Sequence, residues 1–205
     1  GSKEATDAFY NSLASRFDCK DPSYLDHGSP LHFVGFDIHL EKGEDSRDMI
    51  SIDQRDAVEE FVRVNDARPV YNIASPMTTN FIDPDSPELD SDMKTKFQSL
   101  VGSLNYFAHT LRWDVAFAAN RLSQESSKPR VSSWRAMQRV LSYLLATSDF
   151  SITAPLLSDH KDTMITYSDS DIAGRGSPTT RSQTGTIIFL NNVPVSWRSR
   201  VQCKT

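Results

Sequence analysis

The sequence predicts an α+β protein, and three observations carry that prediction. Two helix-period stretches meet across a short break between Phe97 and Gln124, an alternating run lies near Phe36, and strand period takes over after residue 162. At 100° per residue, Met93, Phe97, Leu100, Val101, Leu104, Phe107 and Ala108 fall within an arc of roughly 120°, the width of a core-facing stripe. From Val115 onward, Ala116, Phe117, Ala118, Ala119 and Leu122 spread round most of the circumference, which places a second helix at the centre of a small bundle. A third helix is expected over about 132–147, where Trp134, Met137, Leu141, Leu144 and Leu145 share one face and Arg135 and Arg139 lie opposite at i,i+4.

Before the bundle, residues 5–17 read as a short amphipathic helix with Phe9, Leu13 and Phe17 on one side. Val34, Phe36, Ile38 and Leu40 then alternate with other residues, and Met49, Ile50 and Ile52 follow a polar run, which predicts a hairpin with one buried face. Asp53 stands where it would cap the next helix, whose stripe is Ala57, Val58, Phe61 and Val62. Four prolines and the acidic run DPDSPELDSD between residues 67 and 92 predict a long unpacked connection. After the third helix come three strands, near 164–167, 184–190 and 193–198, with Asn191-Asn192 as the tight turn of a hairpin because Asn tolerates positive φ. The divisions expected are 3–75, a linker over 76–90, a bundle over 91–150, and strands over 162–205 whose sheet has no covering helix and reads as cut short.

The 205 residues suffice for a substantial core. Gly1-Ser2 reads as a cloning scar. No signal peptide and no apolar run of about 18 residues is visible, so a soluble, unsecreted, intracellular protein is expected, cytoplasmic or nuclear and without a membrane partner. Cys19 and Cys203 lack metal-ligand spacing and read as free thiols in a reducing compartment. The net charge of −5 conceals a division: residues 1–95 carry 9 Lys and Arg against 20 Asp and Glu, whereas 96–205 carry 13 against 7. The basic half is the candidate for contact with a polyanion, and an ordinary solvated face explains the same excess equally well. In YSDSDIAGR, Asp169 and Asp171 would share one side of a strand and could ligate Mg²⁺; alternatively Asp169 ends the strand and Asp171 caps the turn into Ala173-Gly174.

Taken together, LHFVGFDIHLE, ISIDQRDAVEEF, SPMTTN, FQSLVGSLNYFAHTLRWDVAFAANRLSQ, PRVSSWRAMQRVLSYLLATSD, TYSDSDIAG and TTRSQTGTIIFLNNVPVSWRSRVQCKT resemble, in order, part of the polymerase polyprotein of copia-type LTR retrotransposons. The resemblance covers residues 31–205 and implies the end of the reverse transcriptase followed by the start of ribonuclease H. Residues up to about 75 would then be a palm-rim hairpin and helix, 91–150 the helical thumb and connection that hold the template–primer duplex, and 162–205 the first three strands of a truncated ribonuclease H-like sheet. On this resemblance Asp169 matches the first-strand catalytic aspartate, the one member of that set in the chain, and the family's palm aspartates have no counterpart here. The intact family enzyme is an RNA-directed DNA polymerase and ribonuclease H that uses Mg²⁺.

Two-metal hydrolysis needs carboxylates from several elements around ions about 3.5–4 Å apart. This chain alone is therefore expected to be inactive and to hold no Mg²⁺ tightly. The chain departs from the family's Arg-Pro-Asp at Arg112-Trp113-Asp114, leaving Asp114 as a helix cap, and carries Ile172 and Arg175 where the family has an aromatic and an acidic residue.

Three functions follow. The first is template–primer binding by a fragment of the retroelement polymerase, with an RNA–DNA or DNA duplex as partner and Arg112, Lys128, Arg130, Arg135 and Arg139 as the binding residues. The second is a host-recruited protein-interaction module that has lost nucleic-acid contact. The third is an Mg²⁺ hydrolase using Asp169 and Asp171. The remainder of the polyprotein, or a host protein, is the expected protein partner.

Overall fold

The computed structural model describes residues 3–65, 73–78, 83–156, 162–171 and 181–202. Elements run α1 (Lys3–Ala14), β1 (Leu31–Phe33), β2 (Phe36–Lys42), β3 (Asp48–Asp53), α2 (Arg55–Val64), α3 (Ser91–Thr110), a 3-10 turn (Trp113–Val115), α4 (Ala116–Gln124), α5 (Val131–Ala146), β4 (Ser151–Pro155), β5 (Met164–Ser170), β6 (Gln183–Leu190) and β7 (Val193–Val201). The mixed helix and antiparallel-sheet class is the one the sequence predicts.

The apolar stripe of α3 is buried as its period requires, with Phe97 and Leu104 fully enclosed. It meets Val115, Ala118, Ala119 and Leu122 around α4, and Met137, Val140, Leu141 and Leu144 of α5. Phe117, expected inside, is 49% exposed, because it lies on the side of α4 turned from the bundle core and borders an open groove. Val58 and Val62 of α2 enter the same core. The expected break at 76–90 is therefore no break in packing, since one apolar core serves both sides of it.

The first sheet is antiparallel in the order β1-β2-β3-β4. Phe33 pairs with Phe36 across a two-residue turn, Val34-Gly35, with φ of 50° and 78°. Positive φ is costly for β-branched Val34, and the Tyr106 hydroxyl donates to the Val34 carbonyl at 2.8 Å. Gly35 has a φ that side chains rarely adopt, and a Cβ there would also stand 2.9 Å from that hydroxyl, so glycine is favoured at the position. Strand β4 was not anticipated: only Ile152 and Ala154 alternate in it, and its place is set by pairing with β3, Ile52 opposite Ile152. Asp53 accepts from the Arg55 backbone N–H at 2.9 Å, but the N-cap of α2 is Gln54, which makes no side-chain capping bond, so Asp53 stands one residue before the cap position expected of it.

The amphipathic reading of the first helix fails in part. The helix forms, but none of its residues is buried, and Phe9 and Phe17 are 67% and 65% exposed. Periodicity indicates which side of a helix would be buried, not that a partner is present. The connection also differs from expectation. Ser86 is buried, Val131 N–H donates to the Pro87 carbonyl, and Leu89 N–H to the Pro129 carbonyl, both at 2.9 Å. The segment 83–90 is thus pinned to the loop between α4 and α5.

The second sheet has the order β5-β6-β7, and its hairpin turns at Asn191 and Asn192 with φ of 50° and 65°, the two-residue geometry expected. It meets the bundle through Trp197, whose indole N–H donates to the Ala108 carbonyl at 2.7 Å, and through Gln183, whose amide donates to Asn120 Oδ1 at 3.0 Å. Every residue of β5 is exposed. The departures at Ile172 and Arg175, the turn at Ala173-Gly174, and Cys203 lie outside the described residues. Cys19 is a free thiol.

Arg112 is the largest fully buried side chain, 1% exposed. Its Nε and Nη2 grip the Asp114 carboxylate at 3.0 and 2.7 Å, and Nη1 and Nη2 donate to the carbonyl and hydroxyl of Thr147 at 3.1 and 2.5 Å. Thr147 closes the C-terminal end of α5, so one guanidinium ties the α3–α4 corner to the end of a third helix. Asp114 serves as its counter-ion, not as the cap of α4. A second buried pair lies at the other end of α4. Burial pushes the Arg121 guanidinium below its usual range, against the pull of Glu125 and Asp171. Burial likewise pushes the Glu125 carboxyl upward, against hydrogen bonding from Ser133 and the charges of Arg121 and Arg130.

Two outcomes follow. Arg112→Ala should lose about 3–5 kcal/mol in urea unfolding, because it leaves Asp114 buried without its cation; a loss under about 1 kcal/mol, the scale of an exposed pair, would contradict it. For Glu125 the folded state favours the protonated carboxyl, so its stabilising contribution is present below the unfolded carboxylate range and is lost as pH rises through the raised folded value. Unfolding of the parent and of Glu125→Gln from pH 4 to pH 8 should show the variant gaining on the parent as pH rises. A constant difference would contradict it.

Candidate nucleic-acid interface

The cations singled out from the sequence do not share one fate. Arg112 is excluded from any surface role by its burial and by its bonds to Asp114 and Thr147. Arg130 is half-buried at the start of α5, and its Nη1 donates to the Ser86 carbonyl at 3.0 Å. Arg139 is half-buried too, with Nε donating to the Ser75 carbonyl at 3.2 Å. Lys128 and Arg135 are exposed and carry no ion pair among the described residues.

These placements follow from local structure. The α5 stripe turns Met137, Val140, Leu141 and Leu144 inward, which leaves 135 and 139 on the outer side, one turn apart. Segments from the proline-rich connection then run across that side. Arg135 and Arg139, with Met77, Thr78, Asp83 and Ser132, line a shallow groove of about 320 Å³. Arg139 is held against one wall by the Ser75 carbonyl, and its guanidinium retains N–H groups beyond the one used there. Asp83, whose carboxylate accepts from the Asp85 N–H at 3.0 Å, adds negative charge to the same groove. The outer face of α5 is therefore a partly covered basic groove, not the open field of four cations that the helical wheel suggests.

Such a groove can take a phosphate oxygen by charge-assisted hydrogen bonds from one or two guanidinium groups, with Lys128 adding a third charge nearby in sequence.

On the second sheet, Asp169 pairs with Gly185. Asp171 lies just past β5, where its Oδ1 accepts from the Gln183 N–H at 2.5 Å while its own N–H donates to the Gln183 carbonyl at 3.1 Å. Asp171 thus closes the sheet end. No group of three or more His, Cys, Asp or Glu side chains that could hold a metal gathers among the described residues. Asp169 and Asp171 do not by themselves make a two-ion site among the described residues. The sequence reading missed Arg198 and Arg200, exposed at i,i+2 on β7 and paired with Thr186 and Thr184. Their alternation is visible in VSWRSRV, and the observed strand runs on to Val201, past the expected end at residue 198.

Among the described residues no helix is long and apolar enough to cross a membrane. No family model matches the chain, and no solved structure does. Among curated proteins it is 32% identical over 207 residues to the retrovirus-related Pol polyprotein from transposon RE2 of Arabidopsis thaliana, covering 94% of this chain and 12% of that protein. It is 30% identical over 198 residues to the corresponding polyprotein from transposon RE1 of the same plant, with the same coverage of each. A shorter alignment, 37% identical over 106 residues, joins it to the secreted RxLR effector protein 161 of Plasmopara viticola, covering 52% of this chain and 72% of that protein. Over nearly its whole length, and across about an eighth of theirs, this chain is a homologue of the retrovirus-related Pol polyproteins from transposons.

Proposed function

We propose that this chain is the thumb, connection and first ribonuclease H strands of a copia-type reverse transcriptase, and that its property is to hold a template–primer duplex by phosphate contacts without catalysing a reaction itself. The observation that carries the proposal is the basic groove on the outer side of α5, with Arg135 and Arg139 lining it. Homology to transposon Pol polyproteins across 94% of the chain supports it, because a polymerase must grip a duplex of any sequence. Contacts to phosphate fix position without reading bases, and guanidinium and hydroxyl donors of the kind lining the groove make such contacts.

The catalytic reading is weaker for this chain. Asp169 is the single carboxylate matched to the ribonuclease H set, and a lone aspartate with Asp171 already bonded to Gln183 cannot clamp two Mg²⁺ ions. In the complete family enzyme Mg²⁺ would draw on further carboxylates.

A second reading, a recruited interaction module, is favoured by one observation. Trp113, Phe117 and Tyr167 are large, exposed and gathered about the space between α4 and the second sheet. Its support is that exposed apolar surface of this kind marks partner sites.

The cation placement sharpens the test. With Arg112 buried against Asp114 and Arg130 bonded to the Ser86 carbonyl outside the groove lining, three cations are counted for the interface, Lys128, Arg135 and Arg139. Log K for a primer–template duplex should fall with log salt at a slope near −0.9 per contact, about −2.7 in all. Arg135→Ala with Arg139→Ala should flatten the slope by about two units and weaken all sequences alike, while Arg112→Lys, if it folds, should leave the slope unchanged. Unaltered affinity of the double variant across the salt series would remove α5 from the interface and favour the interaction module.

A further inference from the structure

An opening of about 550 Å³ lies between α4 and the second sheet, within the size range of clefts that enclose small ligands or side chains. Duplex binding leaves it unused. One wall is Trp113 and Phe117, 37% and 49% exposed; the other is the sheet face bearing Tyr167, Ile187 and Trp197, which lie side by side on three adjacent strands. The next row on that face is Asp169, Gly185 and Ser199. A Cβ on Gly185 would meet nothing within 4 Å, so the floor is open at its centre.

The polar groups in this groove ask for a donor. The Asp169 carboxylate has no hydrogen bond or ion pair among the described residues, and an ionised carboxylate can only accept. Gln183 gives its amide N–H groups to Asn120 and Ser199, at 3.0 and 2.8 Å, which leaves its Oε1 buried without a partner. A buried acceptor in that state is unfavourable until a donor reaches it. Asp171 adds a second negative charge. The cation on the lining, Arg198, springs from the opposite pleat beside Thr186, and Arg121 lies close enough to Asp171 for their charges to interact.

We propose that this groove binds the side chain of an arginine presented by a partner peptide. A guanidinium is flat, weakly hydrated and stacks on aromatic rings, and it carries five N–H donors for unfilled acceptors such as the Asp169 carboxylate and the Gln183 carbonyl. A lysine ammonium fits less well because it is compact and strongly hydrated. Nucleic acid fits less well because its phosphates would approach Asp169 and Asp171.

The test uses the whole chain and a blocked Gly-Arg-Gly peptide, followed through the indole N–H resonances of Trp113 and Trp197. Saturable shifts are expected with the arginine peptide, and binding at least tenfold weaker with the citrulline peptide, which keeps the shape and removes the charge. Asp169→Asn, an exposed position, should weaken the arginine peptide about tenfold, and Phe117→Ser should weaken it as well, with the dispersion of the remaining spectrum reporting that each variant is folded. Equal binding of the citrulline or lysine peptide, an unaffected Asp169→Asn, or no saturable shift at the solubility limit of the arginine peptide would each overturn the assignment.

Discussion

The bundle is closed by one buried cation. Arg112 stands where α3 ends and the chain turns into α4, and its guanidinium spans from Asp114 on that corner to Thr147, the C-cap of α5. Tyr143 and Phe150 lie under it with ring centres 5.8 and 5.0 Å from its central carbon, and Phe150 also meets Trp113 edge-on. A charge so placed is costly unless every donor finds a partner, and here the fork is occupied on both sides. The position of Phe150 fixes where the chain leaves the bundle, and β4 begins at the next residue. The pairing of β4 with β3 then completes the first sheet, so the same corner bears on elements far apart in sequence.

A similar economy governs the basic side. The proline-rich connection crosses the outer face of α5, and Arg130 and Arg139 donate to its carbonyls at Ser86 and Ser75. Two cations are thereby spent partly on structure, and Asp83 offsets a third. What remains is narrower than a surface of four free charges but better oriented, because both arginines of the groove rise from one rigid helix. Of the two, Arg139 is held by the Ser75 carbonyl, whereas the exposed Arg135 has no ion pair among the described residues.

The helices were readable because each carries enough apolar positions for a period to show: the α3 stripe and the inner face of α5 are buried as the sequence indicates. The Asn191-Asn192 turn was readable because positive φ is a local property of few residues. Other features depend on contacts distant in sequence. Strand β4 offers five residues and takes its identity from β3. The packing of 83–90 rests on backbone bonds to 129–132, which composition does not disclose. Arg112 was assigned to the surface because arginine usually lies there. The available signal was the Arg-x-Asp spacing at a helix break, which places a counter-ion within reach of the guanidinium. The arginines of α5 were placed on the correct face, but the wheel could not show what covers that face.

The central claim is that the helices around Arg112 form the stable body of the chain and that the second sheet, attached mainly through β7, depends on it. Residue-resolved hydrogen exchange tests this most directly. The account predicts that core amides of α3, α4 and α5 exchange only through global unfolding, while those of β5, exposed along its whole length, exchange by a lower-energy opening. Protection in β5 equal to or above that of α4 would contradict it.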